Sequence, residues 1–312
     1  METKTLKFNL LKRNLPAVFF FFLIIAVFGS TLADAQDDDE TINIEYSLVV
    51  LNATITDAAG KSFTGLKESQ FKVFEDGIEQ KLDLFEAAKT PFAAVILLDT
   101  SGSMEQRVSL ARSAAILFLD GLRVDDVAAI YNFDSKISLV QDFSNSRDIT
   151  DRIFNLKASG TTVLNDAIYK AAEELGKRKE KRRAIIVLSD GADTSSGRSS
   201  DKALKAAITA NATIYTIDMS AIDIGGKDRA QGQGALKNFA EKSGGLFIPT
   251  PGGVAMREAF KNIVQELGVQ YTLGYQSSNQ KKDGKWRTIE LRVTKPNLNI
   301  RTRKGYNAPK AK

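Results

Sequence analysis

Two stretches of the chain, Phe92-Ala93-Ala94-Val95-Ile96-Leu97-Leu98 and Ala184-Ile185-Ile186-Val187-Leu188, contain no polar side chain, and each is followed within two residues by an aspartate. A strand with one wet face alternates apolar and polar residues, whereas an unbroken apolar run marks a strand covered on both faces. Such strands need helices above and below, and the intervening sequence supplies them. Helical spacing predicts helices at Ser109–Leu122, Arg147–Leu156, Leu164–Leu175, Asp201–Ala210, Ala235–Ser243 and Val254–Leu267. Strands are predicted between them at Asp126–Phe133, Ile137–Phe143, Thr213–Ile217 and Leu246–Ile248. Strands alternating with helices specify an α/β fold, a doubly wound and mostly parallel central sheet, over residues 92–268.

The flanks read differently. Ile42–Leu51, Phe71–Phe74 and Lys81–Phe85 are short strand patterns without a useful helix between them, and they form an N-terminal β module at 42–91. Strand patterns return at Gln270–Tyr275, Trp286–Val293 and Asn299–Lys304, within residues 269–312. Neither set has enough strands to close a core alone, so the two are expected to meet as one β-sandwich interrupted by the α/β domain.

Ahead of all this, Lys4, Lys7, Lys12 and Arg13 precede an apolar run from Leu15 to Phe28 and the small-residue site Ala33-Asp34-Ala35. That order is a secretory signal over residues 1–35, with cleavage before Gln36 and an acidic leader at 36–41. The run is shorter than the roughly 20 apolar residues that span a bilayer, and it contains Pro16. The expectation is therefore an exported protein of the periplasm, cell envelope or extracellular space, with no membrane span after cleavage. Uncleaved retention as an anchor is the alternative. The chain carries 43 basic against 38 acidic side chains, and without residues 1–35 the net charge falls from +5 to +3. The one dense basic cluster, Lys177–Arg183, is read as a solvated helix end, so no nucleic-acid partner is expected.

Cysteine and histidine are both absent. No disulfide, thiolate metal site, Cys nucleophile or Ser-His-Asp triad can be built, and the commonest general base is missing. What the chain does possess, in loops where open α/β sheets place their sites, is hard oxygen donors. Asp99-Thr100-Ser101-Gly102-Ser103 follows the first apolar run and Ser189-Asp190-Gly191-Ala192-Asp193 follows the second. Between them, Ser159-Gly160-Thr161-Thr162 precedes a helix. Carboxylates and hydroxyls suit Mg²⁺, or Mn²⁺ or Ca²⁺, and suit zinc or copper poorly.

Asp99-Thr100-Ser101-Gly102-Ser103 resembles the D-x-S-x-S signature of the metal-ion-dependent adhesion site in von Willebrand factor type A and integrin inserted domains. Thr162, with adjacent Thr161 as the alternative, matches that site's threonine, and Asp190 its second aspartate. The flanking segments Phe71–Gly77 and Arg301–Tyr306 resemble those of bacterial exported proteins carrying this domain. The resemblance implies a metal site of Asp99, Ser101, Ser103, Thr162 and Asp190, with the three hydroxyls touching the ion and the aspartates acting largely through water. It implies a binding module with no catalytic step, whose partner is a protein or peptide offering an exposed Asp or Glu. Two rival readings stand beside it. One is a Mg²⁺-dependent aspartyl-phosphate enzyme with Asp99 as nucleophile, although lysine is missing at the second position, where Thr100 stands. The other is a purely structural envelope module.

Overall fold

The computed structural model describes residues 48–87, 90–145, 151–220, 226–249 and 253–311. The expected signal segment and acidic leader lie outside the described residues.

The central sheet has six strands: β5 (Phe92–Asp99), β6 (Val127–Phe133), β7 (Ile137–Ser144), β8 (Arg182–Ser189), β9 (Ala212–Asp218) and β10 (Phe247–Ile248), in the order β10-β9-β8-β5-β6-β7. All neighbours are parallel except β6 and β7. Both sequence runs lie in the middle of the sheet, and every residue of β5 is buried. One face packs on α1 (Val108–Asp120) and α5 (Gly253–Val269). The other face packs on α2 (Leu164–Gly176), α3 (Ser200–Thr209) and α4 (Lys227–Ser243). The chain leaves β5 through α1 to β6 on one side, and β8 pairs with β5 on the other. The carboxyl ends of β5 and β8 therefore flank the point where the winding reverses, which is where open α/β sheets form their crevice.

The flanking strands are β1 (Leu48–Thr56), β2 (Phe71–Glu75), β3 (Ile78–Gln80), β4 (Leu82–Glu86), β11 (Tyr271–Gln276), β12 (Trp286–Val293), β13 (Asn299–Arg301) and β14 (Gly305–Asn307). They form two antiparallel sheets, β13-β1-β11-β4 and β14-β12-β2-β3. In the first sheet C-terminal and N-terminal strands alternate, and in the second the C-terminal pair β14-β12 joins the N-terminal hairpin β2-β3 through β12 and β2. Val49, Leu51, Phe71 and Val73 share one apolar core with Leu273, Tyr275, Ile289 and Leu291.

Three sequence expectations need correction. The helix expected at Arg147–Leu156 is, over its described part, a single 3-10 turn at Asp151–Ile153. Ile153 is buried there, and the chain then runs on toward Gly160. The basic cluster is not simply a solvated helix end, because Arg182 begins β8 and is fully buried. Burial pushes its guanidinium down to about 10, and it is held by Thr272 Oγ1 at 3.1 Å and by the carbonyls of Leu267 at 3.4 Å and Gly268 at 3.2 Å. It thus satisfies carbonyls at the end of α5, whose helical partners are missing by geometry.

The third correction concerns α4, expected at Ala235–Ser243: it begins at Lys227, eight residues earlier, and takes in Gly232 and Gly234. The glycines have a packing reason. A Cβ on Gly232 would stand 2.3 Å from the Asp190 carbonyl oxygen, so only glycine lets α4 lie against the loop after β8. Gly232→Ala is expected to lower stability by about 1–3 kcal/mol, the usual range for forced overpacking. Gly234 has open space at the same position, so Gly234→Ala should leave stability unchanged or raise it by about 0.4–1 kcal/mol. Urea unfolding of the two variants checks this, and equal behaviour would show that α4 does not press on the loop.

Candidate functional site

Asp99 ends β5 and is fully buried. Its Oδ1 accepts from the Ser101 backbone N–H at 2.9 Å and from the Ser101 hydroxyl at 2.6 Å. Its Oδ2 accepts from the Ser189 hydroxyl at 2.6 Å, across the β5–β8 pair. The Ser101 and Ser103 hydroxyls lie 3.2 Å apart, with Ser101 buried and Ser103 exposed. Asp99, Ser101 and Ser103 thus form one connected group at the sheet edge, as the sequence placed them.

The second strand end brings Asp190, half-buried, whose Oδ1 accepts from the Ala192 N–H at 3.0 Å. Ser189 itself, between Asp99 and the Gly191 N–H, ties the two strand ends together. Thr162 comes in from the loop before α2. Its N–H donates to the Thr194 hydroxyl at 3.0 Å, and its carbonyl accepts from the N–H groups of Thr194 and Ser195, both at 3.0 Å. Its loop is also bonded to the first one, through Gly102 N–H to the Gly160 carbonyl at 3.2 Å and Ser159 N–H to the Thr100 carbonyl at 2.8 Å. All three loops are therefore cross-linked by backbone, which fixes the donors before any ligand arrives. Thr162 is buried, yet its hydroxyl makes no hydrogen bond among the described residues.

Charge is the unusual feature of this edge. No Lys or Arg pairs with Asp99 or Asp190 among the described residues. Burial pushes the Asp99 carboxyl up to about 6, the Asp190 charge adds to the rise, and the bonds from Ser101 and Ser189 oppose it. An unpaired carboxylate in such a place costs stability unless something positive joins it. Among the described residues no group of three or more Asp or Glu side chains has metal-ligand geometry, so a cation here would depend on the hydroxyls as much as on the carboxylates. The donor set is all hard oxygen, and it fits Mg²⁺, Mn²⁺ or Ca²⁺ held by Ser101, Ser103, Thr162, Asp99 and Asp190.

Two residues at this edge were not singled out from the sequence. Ser189 was read only as part of a loop, although it orients Asp99. Asp218 ends β9 beside Ser189 and is fully buried, with its Oδ1 accepting from the Ser220 N–H at 2.8 Å and its Oδ2 from Gln233 of α4 at 2.7 Å. The signal for it was available. Thr213–Ile217 is another strand that stops at an aspartate, as the strands before Asp99 and Asp190 do.

A doubly wound α/β domain with hydroxyl- and carboxylate-bearing loops at its switch point defines a class of ligand-binding domains. Residues 94–192 match the family model of the von Willebrand factor type A domain. An uncharacterized protein of Synechocystis sp. is 33% identical over 108 residues, covering 33% of this chain and 26% of that protein, so the chain spans about a quarter of its curated relative. Among solved structures, the vWF domain of the type V pili tip protein Mfa5 from Porphyromonas gingivalis aligns at 15% identity with a TM-score of 0.49, covering 59% of this chain and 98% of that one. A von Willebrand factor type A protein from Catenulispora acidiphila aligns at 12% identity and TM-score 0.47, covering 85% and 74%. The D319A mutant of the PilB minor pilin from Streptococcus sanguinis aligns at 15% and 0.48, covering 58% of this chain and 62% of that one. At such identities and scores the biology of those proteins does not transfer to this chain.

Proposed function

We infer that the chain is an exported, non-enzymatic protein-interaction module whose sheet edge holds a divalent cation and accepts a carboxylate from a protein or peptide partner. The single observation that carries this reading is the pair of carboxylates, Asp99 and Asp190, without a cationic partner, set among the hydroxyls of Ser101, Ser103 and Thr162. Directly bound neutral hydroxyls would leave an ion only partly neutralised, and therefore attractive to an incoming Asp or Glu. The protein's own contribution is positional: the cross-linked loops hold the oxygens in place, and Ser189 fixes the Asp99 carboxylate.

The aspartyl-phosphate reading is less well supported. Both Asp99 oxygens are engaged and the carboxylate is fully buried, which leaves no open face for attack on a phosphoryl group. Export is supported by the N-terminal sequence pattern. No helix among the described residues is long and apolar enough to cross a membrane. Mass spectrometry of the native protein should find a start at or near Gln36, and an intact N-terminus in the membrane fraction would overturn the export reading.

Mn²⁺ reports on the binding reading directly. The wild-type protein is expected to bind Mn²⁺, seen as loss of the free-ion EPR signal, and a synthetic Asp-containing peptide should lower the water relaxation of the bound ion. The same peptide with Asn for Asp should not. Thr162→Ala should weaken peptide binding by about 2–5 kcal/mol, the range for truncating a buried interfacial charge contact, with little change in folding. Peptide binding that is equal for Asp and Asn, and indifferent to chelator, would leave the structural-module reading in its place.

A further inference from the structure

The strongest feature outside the candidate site is a groove of about 730 Å³ between α2 and α3. Small residues, Ala172, Gly176, Ala206 and Ala210, are part of its lining. Its walls carry four cations, Arg183, Arg198, Lys202 and Lys205, against one carboxylate, Glu173.

Those charges are available to differing degrees. Lys202 and Lys205 are exposed and have no ion pair among the described residues. Arg183 spends its donors on the carbonyls of Glu180, Ala210 and Arg178 and makes no ion pair among the described residues. Arg198 is paired with Asp166 at 3.1 Å and lies over the Tyr169 ring at 4.1 Å, which holds it rigidly at the upper end. That upper end is part of the candidate site's framework. The Gly197 and Arg198 N–H groups both donate to Asp166, at 2.8 and 3.1 Å, and the same loop holds the Thr162 carbonyl through Thr194 and Ser195. Both helices start at the sheet edge that carries Thr162 and Asp190, so the groove leads down from that edge.

Resting on the cation-site reading above, we propose that the partner is an extended acidic segment. Its first Asp or Glu meets the sheet edge, and its following acidic side chains lie in the α2–α3 groove against Arg198, Lys202 and Lys205. The dimensions agree. α3 has ten residues and is about 15 Å long, at about 1.5 Å per residue. An extended peptide at about 3.3 Å per residue covers that length with four or five residues. Lys202 and Lys205 are about 4.5 Å apart along the α3 axis, and Arg198 stands just before the helix begins at Ser200, so an acidic segment running along α3 from the sheet edge meets Arg198 first and then the two lysines. Charge complementarity here selects the partner and steers its approach more than it sets the affinity.

The test uses the full chain and two fluorescein-labelled decapeptides in Mg²⁺, read by anisotropy. Both keep one N-terminal Asp; one follows it with Glu at alternate positions and the other with Gln. The Glu peptide is expected to bind the wild type about tenfold tighter, as several screened charge contacts together would give. In the variant Lys202→Glu with Lys205→Glu the Glu peptide should lose that advantage. The Gln peptide and Mn²⁺ binding should be unchanged, and Lys281→Glu on the β flank should behave as wild type. Melting curves of the variants show that folding is intact. An advantage that survives the charge reversal overturns the groove proposal, as does failure of either peptide to bind the wild type. If EDTA abolishes all binding while the reversal changes nothing, the groove fails and the cation reading stands. If EDTA spares the advantage and the reversal removes it, the groove stands and the cation reading fails. An oligo-dT of equal charge that competes as well as the Glu peptide makes the face a general polyanion surface and overturns the assignment to a peptide.

Discussion

Deleting residues 270–312 is expected to unfold the β flank outright, including strands more than 180 residues earlier in the chain. β11 is the strand that joins β1 to β4, and β12 joins β14 to β2. Removing them leaves β1 and β4 with no common neighbour, and β2–β3 as a lone hairpin, which is at best marginally stable in water. The shared core loses Tyr271, Leu273, Tyr275, Ile289 and Leu291, and so exposes Leu51, Ala53, Phe71 and Val73. Each buried side chain of this size is worth about 1.5–3 kcal/mol of transfer energy, and five of them are comparable to the whole net stability of a domain. The damage would extend into the central domain. Arg182 would lose Thr272, and Glu266 of α5 would lose Arg301 and, with β1 unfolded, Thr54, while keeping Tyr215 at 2.6 Å. The truncated chain should bind an apolar dye strongly and elute as aggregates. A soluble, monomeric truncation with a normal melting curve would mean that the flanks fold independently of each other.

How much of this was legible in the sequence depends on whether the signal was local. The unbroken runs at Phe92–Leu98 and Ala184–Leu188 state their burial directly, and the loops that follow them state the site, because strand ends in this topology must converge. The strand patterns of the flanks were also local and readable. Which strand lies beside which was not, because β1 pairing with β11 is a contact across more than 200 residues that no nearby residue encodes. The failures have the same origin. Gly232 looked like loop material because its use, letting α4 touch the Asp190 backbone, exists only in three dimensions. Arg182 looked solvated because its partners are the carbonyls of a helix end far along the chain. In the candidate site the oxygen-bearing residue types were visible while the support was not. The Ser189 hydroxyl is informative only once β5 and β8 are known to be neighbours.

The buried charge at Asp99 gives the second large effect, with opposite signs in the two states of the protein. In chelator, the folded chain keeps a fully buried carboxylate with no cation beside it, an arrangement that costs stability. Asn at this position keeps the shape. Its carbonyl oxygen can accept from the Ser101 N–H and hydroxyl, and its amide can donate to the Ser189 oxygen, so Asp99→Asn should melt at or above the wild-type temperature in EDTA. With Mg²⁺ the order reverses. A cation bound to the native state alone stabilises it by about 2.7 kcal/mol at a hundredfold excess over its dissociation constant. At roughly 2–4 °C per kcal/mol for a domain of this size, the wild type should gain about 5–10 °C. Asp99→Asn should gain almost nothing, and Asp193→Ala, a change outside the donor set, should keep most of the gain. The crossing of the two melting series is the signature of a charge retained for a ligand, because a carboxylate serving only the fold would make Asp99→Asn worse in both buffers. A wild-type melting temperature indifferent to both Mg²⁺ and EDTA would mean that the hydroxyls and carboxylates at this edge hold no ion and serve as turn and cap residues alone.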